Sequence, residues 1–437
     1  SRFGKNRNGG AIKFGGVPWG IFPAVQLGWI MTNESWMANV KGIDYLKLTG
    51  GYDVSGNDDV SLTAARSYFA SQLYLKSIAG LSLVSIGNND IKWETTQRWN
   101  IGLEANFLAN RLHFGINGFW SRTSDLLSMQ TMGMLAGISQ QWTNGGKMNN
   151  SGFDVNLSGK IIATKDWSWS VGASMGHYKN EIKSLGRNDG KDYMVTSVYN
   201  ANILTKEGQA ANLFYGYKTN GVYATTAEAK ADGLYILSEN GVDKHEFGAG
   251  DMKFVDLNGD KRIDEKDMQV IGNPNPDIYG NIFSSLSWKR FKLDMNFNYS
   301  IGNDIYNYMR SQLEGGSRFM NQTTNITQRW RAENDVTSVP KLTFQDPMGN
   351  SRFSDRWIED GSYLKLKSVT LSYNLPMNTA FLQGLEFWIQ GNNLFTITKY
   401  LGSDPEVSVT NSVIGQGIDY GKVGANRSVV FGVKVKL

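Results

Sequence analysis

Six residues near the middle of the chain are spaced for calcium coordination. They fall at positions 1, 3, 5, 7, 9 and 12 of a twelve-residue loop of the EF-hand type. They are Asp256, Asn258, Asp260, Arg262, Asp264 and Asp267. Ca²⁺ is a hard cation that takes roughly six to eight oxygen ligands, and this spacing curls carboxylate and amide oxygens around one point. Arg262 would contribute only its backbone carbonyl. The spacing therefore predicts a calcium site in segment 256–267, with the apolar Ile263 at position 8.

Two departures from the EF-hand pattern leave an alternative open. Position 6 is Lys261 instead of glycine, although Gly259 lies nearby, and position 12 is an aspartate, whose short side chain is less suited to bidentate ligation. The alternative is a solvated acidic turn built on the Asn258-Gly259 dipeptide. Neighbouring carboxylates repel one another unless a cation or solvent screens them. We therefore expect calcium to stiffen this loop.

Other reactive chemistry has little support in the sequence. The 437 residues include no cysteine and three histidines, His113, His177 and His245, which excludes disulfides and thiolate sites and disfavours a histidine-rich metal centre. The segment Gly172–Gly176 matches the G-x-S-x-G pattern of hydrolases, but Ser174 lies inside an alternating segment with no helix after it. We therefore expect no enzymatic activity. The net charge of +4 comes without a basic run, so no nucleic-acid partner is expected either.

The elements that carry the loop are β-strands, because apolar and polar residues alternate along about eleven segments. In the longest clean case, residues 291–301, six apolar residues alternate with five polar ones. A period of two is typical of a strand with one apolar and one polar face. The predicted strands are 25–31, 46–52, 98–107, 112–121, 153–158, 167–176, 278–288, 291–301, 369–375, 385–389 and 429–437.

Connection lengths favour a membrane barrel over a soluble β-sandwich. Short and long connections alternate along the chain. The short turns are at 108–111, 162–166, 289–290 and 376–384, and the long polar connections are at roughly 54–92, 123–149, 180–275, 305–361 and 397–426. Outer-membrane barrels have this asymmetry, with brief periplasmic turns and long extracellular loops. Aromatic residues such as Phe107, Trp167, Trp288 and Phe291 flank the short turns, as expected of an interfacial ring. No run of 18 apolar residues is present, so no transmembrane helix is expected.

A barrel of this kind would enclose a polar lumen. The polar strand faces would line it with Arg98, Glu104, Asn106, Asp154, Asp294, Asn296, Lys434 and Lys436. An open sheet of eleven strands in lipid would leave unpaired backbone groups at its edges, at a cost of several kcal/mol each. The rest of the barrel must therefore come from elsewhere, most simply from an N-terminal portion of the same protein, and we expect Ser1 to lie in an extracellular loop.

Four segments carry a resemblance to a known family. They are Gly250–Trp288 (GDMKFVDLNGDKRIDEKDMQVIGNPNPDIYGNIFSSLSW), Phe214–Tyr223 (FYGYKTNGVY), Asp355–Pro376 (DRWIEDGSYLKLKSVTLSYNLP) and Gly391–Val407 (GNNLFTITKYLGSDPEV). Their order and sequence resemble the C-terminal half of SusC/RagA-type transporters, the TonB-dependent outer-membrane importers of Bacteroidetes. The resemblance implies an antiparallel transmembrane β-barrel with 22 strands in the family, of which the eleven predicted here would be half. It also implies that the plug domain and the TonB-contacting segment lie N-terminal to residues 1–437.

The resemblance further implies a function for the whole protein. It would be an outer-membrane active importer of oligosaccharides or peptides, with a SusD-like surface lipoprotein as lid, TonB as the energy-coupling partner and membrane lipid around the barrel. Segment 256–267 would then lie in a large extracellular loop at about 180–275. Two alternatives stay open: a passive porin-like barrel, and a secreted calcium-binding β-rich protein that binds glycans.

Overall fold

Strands dominate a computed structural model that describes residues 2–5, 19–58, 67–74, 78–88, 91–131, 140–187, 190–238, 240–377, 381, 383–406 and 413–436. The chain divides into two compact units. Unit 1 comprises residues 1–194 and 205–211, and unit 2 comprises residues 195–204 and 212–437. No helix among the described residues is long and apolar enough to span a membrane.

The first ten strands lie in unit 1. They are β1 (Arg2–Lys5), β2 (Trp19–Phe22), β3 (Ala24–Ile30), β4 (Ile43–Asn57), β5 (Tyr68–Tyr74), β6 (Ile78–Ser85), β7 (Glu94–Phe107), β8 (Leu112–Thr131), β9 (Gln140–Ala163) and β10 (Trp167–Ser184). Six of them form an antiparallel meander in the order β3-β4-β7-β8-β9-β10. The hairpin β5–β6 is a separate sheet in the connection between β4 and β7.

The remaining elements belong mainly to unit 2. They are β11 (Tyr193–Val198), β12 (Ala201–Lys206), β13 (Leu213–Tyr217), β14 (Thr219–Val222), α1 (Thr226–Asp232), β15 (Tyr235–Leu237), β16 (Lys244–Glu246), β17 (Met252–Phe254), β18 (Met268–Gly272), β19 (Ile278–Trp288), β20 (Phe291–Ile301), β21 (Asp304–Asn307), α2 (Tyr308–Glu314), β22 (Ile358–Asp360), β23 (Tyr363–Pro376), β24 (Gly384–Asn392), β25 (Thr396–Thr398), β26 (Ile418–Asp419) and β27 (Ser428–Lys436). Short 3₁₀ turns lie at Met31–Asn33, Ser35–Met37, Glu265–Asp267, Thr324–Gln328, Asp355–Trp357 and Val413–Gly415.

The long strands of unit 2 form a second antiparallel meander. Its order is β19-β20-β23-β24-β27, with β25 extending the pairing along β23. The two meanders together contain the eleven predicted strands, six in unit 1 and five in unit 2. Smaller sheets, β11-β12-β13-β18, β14-β17, β15-β16 and β22-β21-β26, occupy the long connections.

Register explains the alternation in the sequence. In unit 2 one continuous row of apolar side chains crosses all five long strands: Leu286, Leu293, Leu371, Ile389 and Phe431. Successive residues of a strand point to opposite faces, so a parallel row of polar residues lies on the other face. Unit 1 has the same arrangement, with an apolar row of Trp29, Leu48, Leu103, Ile116, Val155 and Met175.

In the part of the chain that the structure describes, no second sheet covers these apolar faces within either unit. Trp99, Trp120 and Leu27 expose 60%, 55% and 72% of their surface, and Phe431 exposes 74%. The buried cores of the described residues lie elsewhere, as in the cluster of Phe214, Tyr306, Phe353 and Trp357. Exposed apolar area on this scale is a large free-energy cost in water, at about 25 cal/mol per Å². Hydrocarbon is the medium that removes this cost, so the interpretation as a soluble secreted protein is wrong.

One predicted connection differs from the structure. Residues 123–149 were expected to be a long loop, but β8 and β9 continue through most of this segment and reach lengths of 20 and 24 residues. A transmembrane β-strand needs only about 9–11 residues. The β8–β9 ladder therefore extends well past the length that a bilayer requires.

Candidate functional site

The polar face of unit 1 forms an open trough. Gln26, Thr49, Arg98, Asn117 and Asn150 line a cavity of about 580 Å³. The residues predicted to line the lumen lie on this polar face. Arg98 pairs with Asp53 and Ser121, and Asp154 pairs with Asn117. In unit 2, Asp294 and Asn296 pair with Ser285 and Phe283, and Lys434 and Lys436 pair with Glu386 and Gly384. The remaining two, Glu104 and Asn106, lie on the same face of β7 as Arg98. The sequence correctly assigned these eight residues to the polar face of the meander in their own unit.

Segment 256–267 folds as a closed loop in unit 2. The Asp256 carboxylate accepts the backbone N–H of Gly259 at 2.7 Å through Oδ1 and that of Lys261 at 2.9 Å through Oδ2. Lys261 has φ 65°, the left-handed conformation that favours glycine and that EF-hand loops require at position 6. The chain therefore makes the turn of the EF-hand pattern with a lysine in the glycine position.

The next two residues with side-chain oxygens, Asn258 and Asp260, lie on the exposed rim of this loop. The Asn258 side-chain amide donates to Asp260 at 3.0 Å, and the Asp260 carboxylate accepts the backbone N–H of Arg262 at 2.8 Å. The bond from Arg262 holds the pKa of Asp260 below its ordinary value. Carboxylate oxygens have more lone pairs than these bonds use. The hydrogen bonds therefore orient these oxygens and leave some of their lone pairs unused.

Asp267 closes the loop from within. It is fully buried, and its two oxygens accept the backbone N–H groups of Leu257 at 2.9 Å and Asp264 at 2.8 Å. The Asp264 carboxylate in turn accepts the N–H of Lys266 and lies 3.2 Å from Arg262 Nε. Within the described ranges, no group of three His, Cys, Asp or Glu side chains is close enough to hold a metal ion. The structure thus places Asn258 and Asp260 on the exposed rim of the loop, Asp256 half-buried at its start and Asp267 buried at its end.

Ile263 fastens the loop to a small core. It is 3% exposed and packs with Tyr223, Phe247 and Phe254, among others. Its N–H donates to the Tyr235 carbonyl at 2.9 Å, and the Tyr235 N–H donates to the Lys261 carbonyl at 3.0 Å. The predicted apolar position 8 is therefore the residue that connects the loop to the rest of unit 2.

The remaining reactive residues sit on strands. Ser174 lies within β10 opposite Asn156, so the G-x-S-x-G match does not form the strand-to-helix turn of a hydrolase. His113 hydrogen-bonds Asn106 at 2.8 Å, and His177 contacts the Phe153 ring at 5.6 Å between centroids. Both histidines therefore belong to strands, as the alternation indicates.

The structure contains a buried ion-pair cluster that was not predicted from the sequence. Lys365 on β23 is 2% exposed, and its ammonium donates to both Asp404 oxygens at 3.0 and 2.8 Å and to Glu406 at 2.8 Å. Lys367 also reaches Glu406, at 2.9 Å. Asp404 then accepts the backbone N–H of Ala425 at 3.0 Å. This cluster, which we call the Lys365 cluster, fixes the connection between β24 and β27 to the wall of the sheet.

Sequence comparisons identify the family of this chain. The sequence model of the family described as "TonB dependent receptor-like, beta-barrel" matches residues 1–242, which is more than half of the chain. TonB-dependent receptor P3 of Formosa agariphila is 29% identical over 95% of this chain and 42% of its own length. TonB-dependent receptor SusC of Bacteroides thetaiotaomicron is 26% identical over 89% of this chain and 38% of its own length.

Solved structures agree on the fold. The structure titled "Structure of the RagAB peptide transporter" matches with a TM-score of 0.79 at 24% identity, over 98% of this chain and 44% of that one. A RagAB peptide importer in an "open-open" state matches with a TM-score of 0.76 at 25% identity, over 96% and 43%. The chain thus spans less than half the length of the relatives it matches.

These findings confirm the predicted resemblance, fold and location. The family comprises receptors and transporters, not enzymes, and its members are outer-membrane barrels. The exposed apolar faces described above are the lipid-facing surface of such a barrel. The chain belongs to the TonB-dependent receptor family and forms part of its antiparallel transmembrane β-barrel in the outer membrane.

Proposed function

We propose that this chain is the C-terminal half of the barrel of an active outer-membrane importer that takes up oligosaccharides or peptides. The observation that carries the proposal is the separation of strand faces, with apolar rows on one side and a polar trough of about 580 Å³ on the other. A polar lumen wide enough for solute is the feature that transport requires of a barrel. Relatives named SusC and RagAB peptide transporter support this function.

The partners follow from the same reasoning. The N-terminal remainder of the transporter would supply the other strands and the plug, and TonB would deliver energy through that part. A SusD-like surface lipoprotein would cover the lumen from outside. The long connections, including the segment 180–275, would be extracellular, because short turns join neighbouring long strands within each unit, at 108–111 and 164–166 in unit 1 and at 289–290 in unit 2. Membrane lipid would surround the apolar rows.

An uptake assay tests the proposal. Cells that produce the full-length transporter should accumulate fluorescently labelled oligosaccharides or peptides, and a protonophore should abolish this accumulation. Deletion of the TonB-contacting segment should have the same effect. The passive porin-like alternative predicts uptake that continues unchanged after both treatments, and that result would refute active import.

Calcium binding in the loop 256–267 is a separate proposal. It is supported by the left-handed Lys261 backbone and by the oriented oxygens of Asp256, Asn258 and Asp260. Calorimetry of the full-length transporter with CaCl₂ should show one binding event that both Asp256→Ala and Asp260→Ala remove. The matched control is Asp243→Ala, an exposed aspartate outside the loop, which should bind calcium as the wild type does. Absence of calcium binding in the wild type would leave the solvated acidic turn as the correct description.

A further inference from the structure

Three tyrosines from distant parts of the chain meet on one surface of unit 2. The rings of Tyr199 and Tyr420 lie 4.2 Å apart between centroids, and those of Tyr308 and Tyr420 stack at 5.0 Å with an angle of 22° between their planes. Tyr199 also meets Tyr308 edge-on at 5.7 Å. Tyr199 and Tyr420 remain 40% and 46% exposed. We call Tyr199, Tyr308 and Tyr420 the tyrosine platform.

The backbone under Tyr199 is unusual for so large a residue. Tyr199 and Asn200 form the two-residue turn between β11 and β12, with φ values of 49° and 65°. Such turns favour Asn-Gly, because both central residues are left-handed and a bulky side chain is strained there. A tyrosine in this place sets an aromatic ring at the tip of a hairpin, next to Tyr420. Strained residues of this kind are characteristic of ligand sites.

A small polar cavity adjoins the platform. It measures about 120 Å³, and its polar lining includes Asn200, Ser311, Gln312, Ser317, Arg318 and Gln322. Asn200 belongs to the same turn as Tyr199, and the cavity residue Tyr306 contacts Tyr308 at 6.2 Å between ring centroids. The Tyr306 hydroxyl lies 3.1 Å from Ser311 Oγ, and burial raises the pKa of Tyr306 to about 12, so this hydroxyl stays protonated.

The chemistry of the two features matches a sugar. A pyranose ring has an apolar C–H face, which suits an aromatic surface, and a rim of hydroxyl groups, which need neutral donors and acceptors. All of the polar lining named above is neutral except Arg318. The cavity is too small to enclose a sugar ring but has room for a hydroxyl-bearing edge and water. A peptide would call for backbone pairing along a strand edge or for several charged groups.

We propose that the tyrosine platform and the adjoining cavity form a binding site for a hexopyranosyl unit of an oligosaccharide. The ring stacks on Tyr199 and Tyr420, and its hydroxyl groups bond Asn200, Gln312 and Ser311. This proposal rests on the proposed import function and narrows its substrate class from oligosaccharide or peptide to oligosaccharide.

Calorimetry on the full-length transporter in nanodiscs tests the site. The probes are maltohexaose, cellohexaose, laminarihexaose and mannohexaose, with a tryptic digest of casein as the peptide probe. At least one hexasaccharide should bind, and Tyr199→Ala with Tyr420→Ala together should weaken it about tenfold or more. Tyr199→Phe keeps the ring and should stay within about twofold. Tyr193→Ala, which removes an exposed tyrosine elsewhere, should leave binding unchanged.

Three results would overturn the site. One is that no hexasaccharide binds the wild type, and another is that the double alanine variant binds as well as the wild type. The third is that casein peptides bind and the double variant loses them, which would make the ligand a peptide. Energy-dependent uptake is measured in parallel: if it survives any of these results, the import function stands and only the sugar site is wrong. Loss of energy dependence in the wild type refutes import itself.

Discussion

Two neighbouring residues on β19 provide a sharp test of which strand face meets lipid. Ile282 and Phe283 are both large, apolar and similarly exposed, at 41% and 38%. Ile282 pairs with Phe297 on the apolar face, whereas Phe283 pairs with Asn296 on the polar face. Replacing each with arginine therefore applies the same chemical change to opposite sides of one strand.

The depth of Ile282 sets the expected cost. It lies six residues from Trp288, which stacks on Phe291 beside the short turn. Six residues span about 20 Å at ~3.4 Å per residue, or about 15 Å of depth at a tilt near ~40°. The apolar band of such barrels is ~25 Å tall, so Ile282 lies near the bilayer midplane, where an outward arginine costs about 2–4 kcal/mol.

We expect Ile282→Arg to lower the free energy of unfolding in phospholipid vesicles by about 2–4 kcal/mol. Phe283→Arg faces water and should cost about 1 kcal/mol or less. Guanidinium titration followed by tryptophan fluorescence measures both in the full-length protein. Equal losses in the two variants, or a larger loss for Phe283→Arg, would refute the assignment of faces. In a soluble protein both exposed sites would change by only about 0.5 kcal/mol.

Further predictions concern the Lys365 cluster and the loop 256–267. Lys365→Met should destabilise the protein by about 3–5 kcal/mol because it leaves two carboxylates without their buried partner, whereas Lys367→Met, at a 33% exposed site, should cost under about 1 kcal/mol in the same unfolding assay. Although partial burial opposes it, hydrogen bonds from Lys365 lower the pKa of both Asp404 and Glu406. The stability they contribute is therefore present above their ordinary pKa of about 4 and is lost as pH falls through the lowered values. After correction for the pH dependence of intrinsic exchange, the hydrogen-exchange protection of residues 400–406 should fall with acid in the wild type and should not fall in Lys365→Met, where protonation relieves the unpaired buried carboxylates; acid insensitivity of the wild type would contradict this. Lys261→Gly should stabilise the loop by about 1 kcal/mol because glycine adopts φ 65° without strain, and a lower melting temperature for this variant would show that the lysine is not strained.

The long strands were predictable because apolar and polar residues alternate along each strand of a membrane barrel. β20 spans Phe291–Ile301, the range that the alternation indicates, since each residue meets either lipid or water and no third environment interrupts the pattern. The prediction failed at 123–149 because the β8–β9 ladder contains a bulge. Asp125 has φ 55°, and the register shifts between Thr123 and Leu126. A bulge breaks the period of two, and the continuing strand then resembles a loop.

The connections of unit 2 were harder to predict because long-range contacts hold them together. Helix α1 does have a local signal: Thr225 caps it by accepting the N–H of Glu228, and Gly233 ends it with φ 64°. The tyrosine platform and the Lys365 cluster have no local sequence signal. Tyr199 and Tyr420 are more than 200 positions apart, and Lys365 contacts Asp404 only because the connection after β24 folds back onto β23. In segment 256–267 the burial of Asp267 was found only in the structure, and calcium binding there stays a prediction.

Scanning β19 with spin labels tests the central claim most directly. Single cysteines placed at each position from Ile278 to Trp288 of the full-length transporter in lipid vesicles are labelled, and their accessibility to oxygen and to a water-soluble nickel chelate is measured. We predict a period of two, with oxygen favoured at Ile282 and Leu286 and the nickel chelate favoured at Asn281, Phe283 and Ser285. Sites on both faces that are equally accessible to the chelate, or apolar sites that neither reagent reaches, would contradict the assignment of this face to lipid.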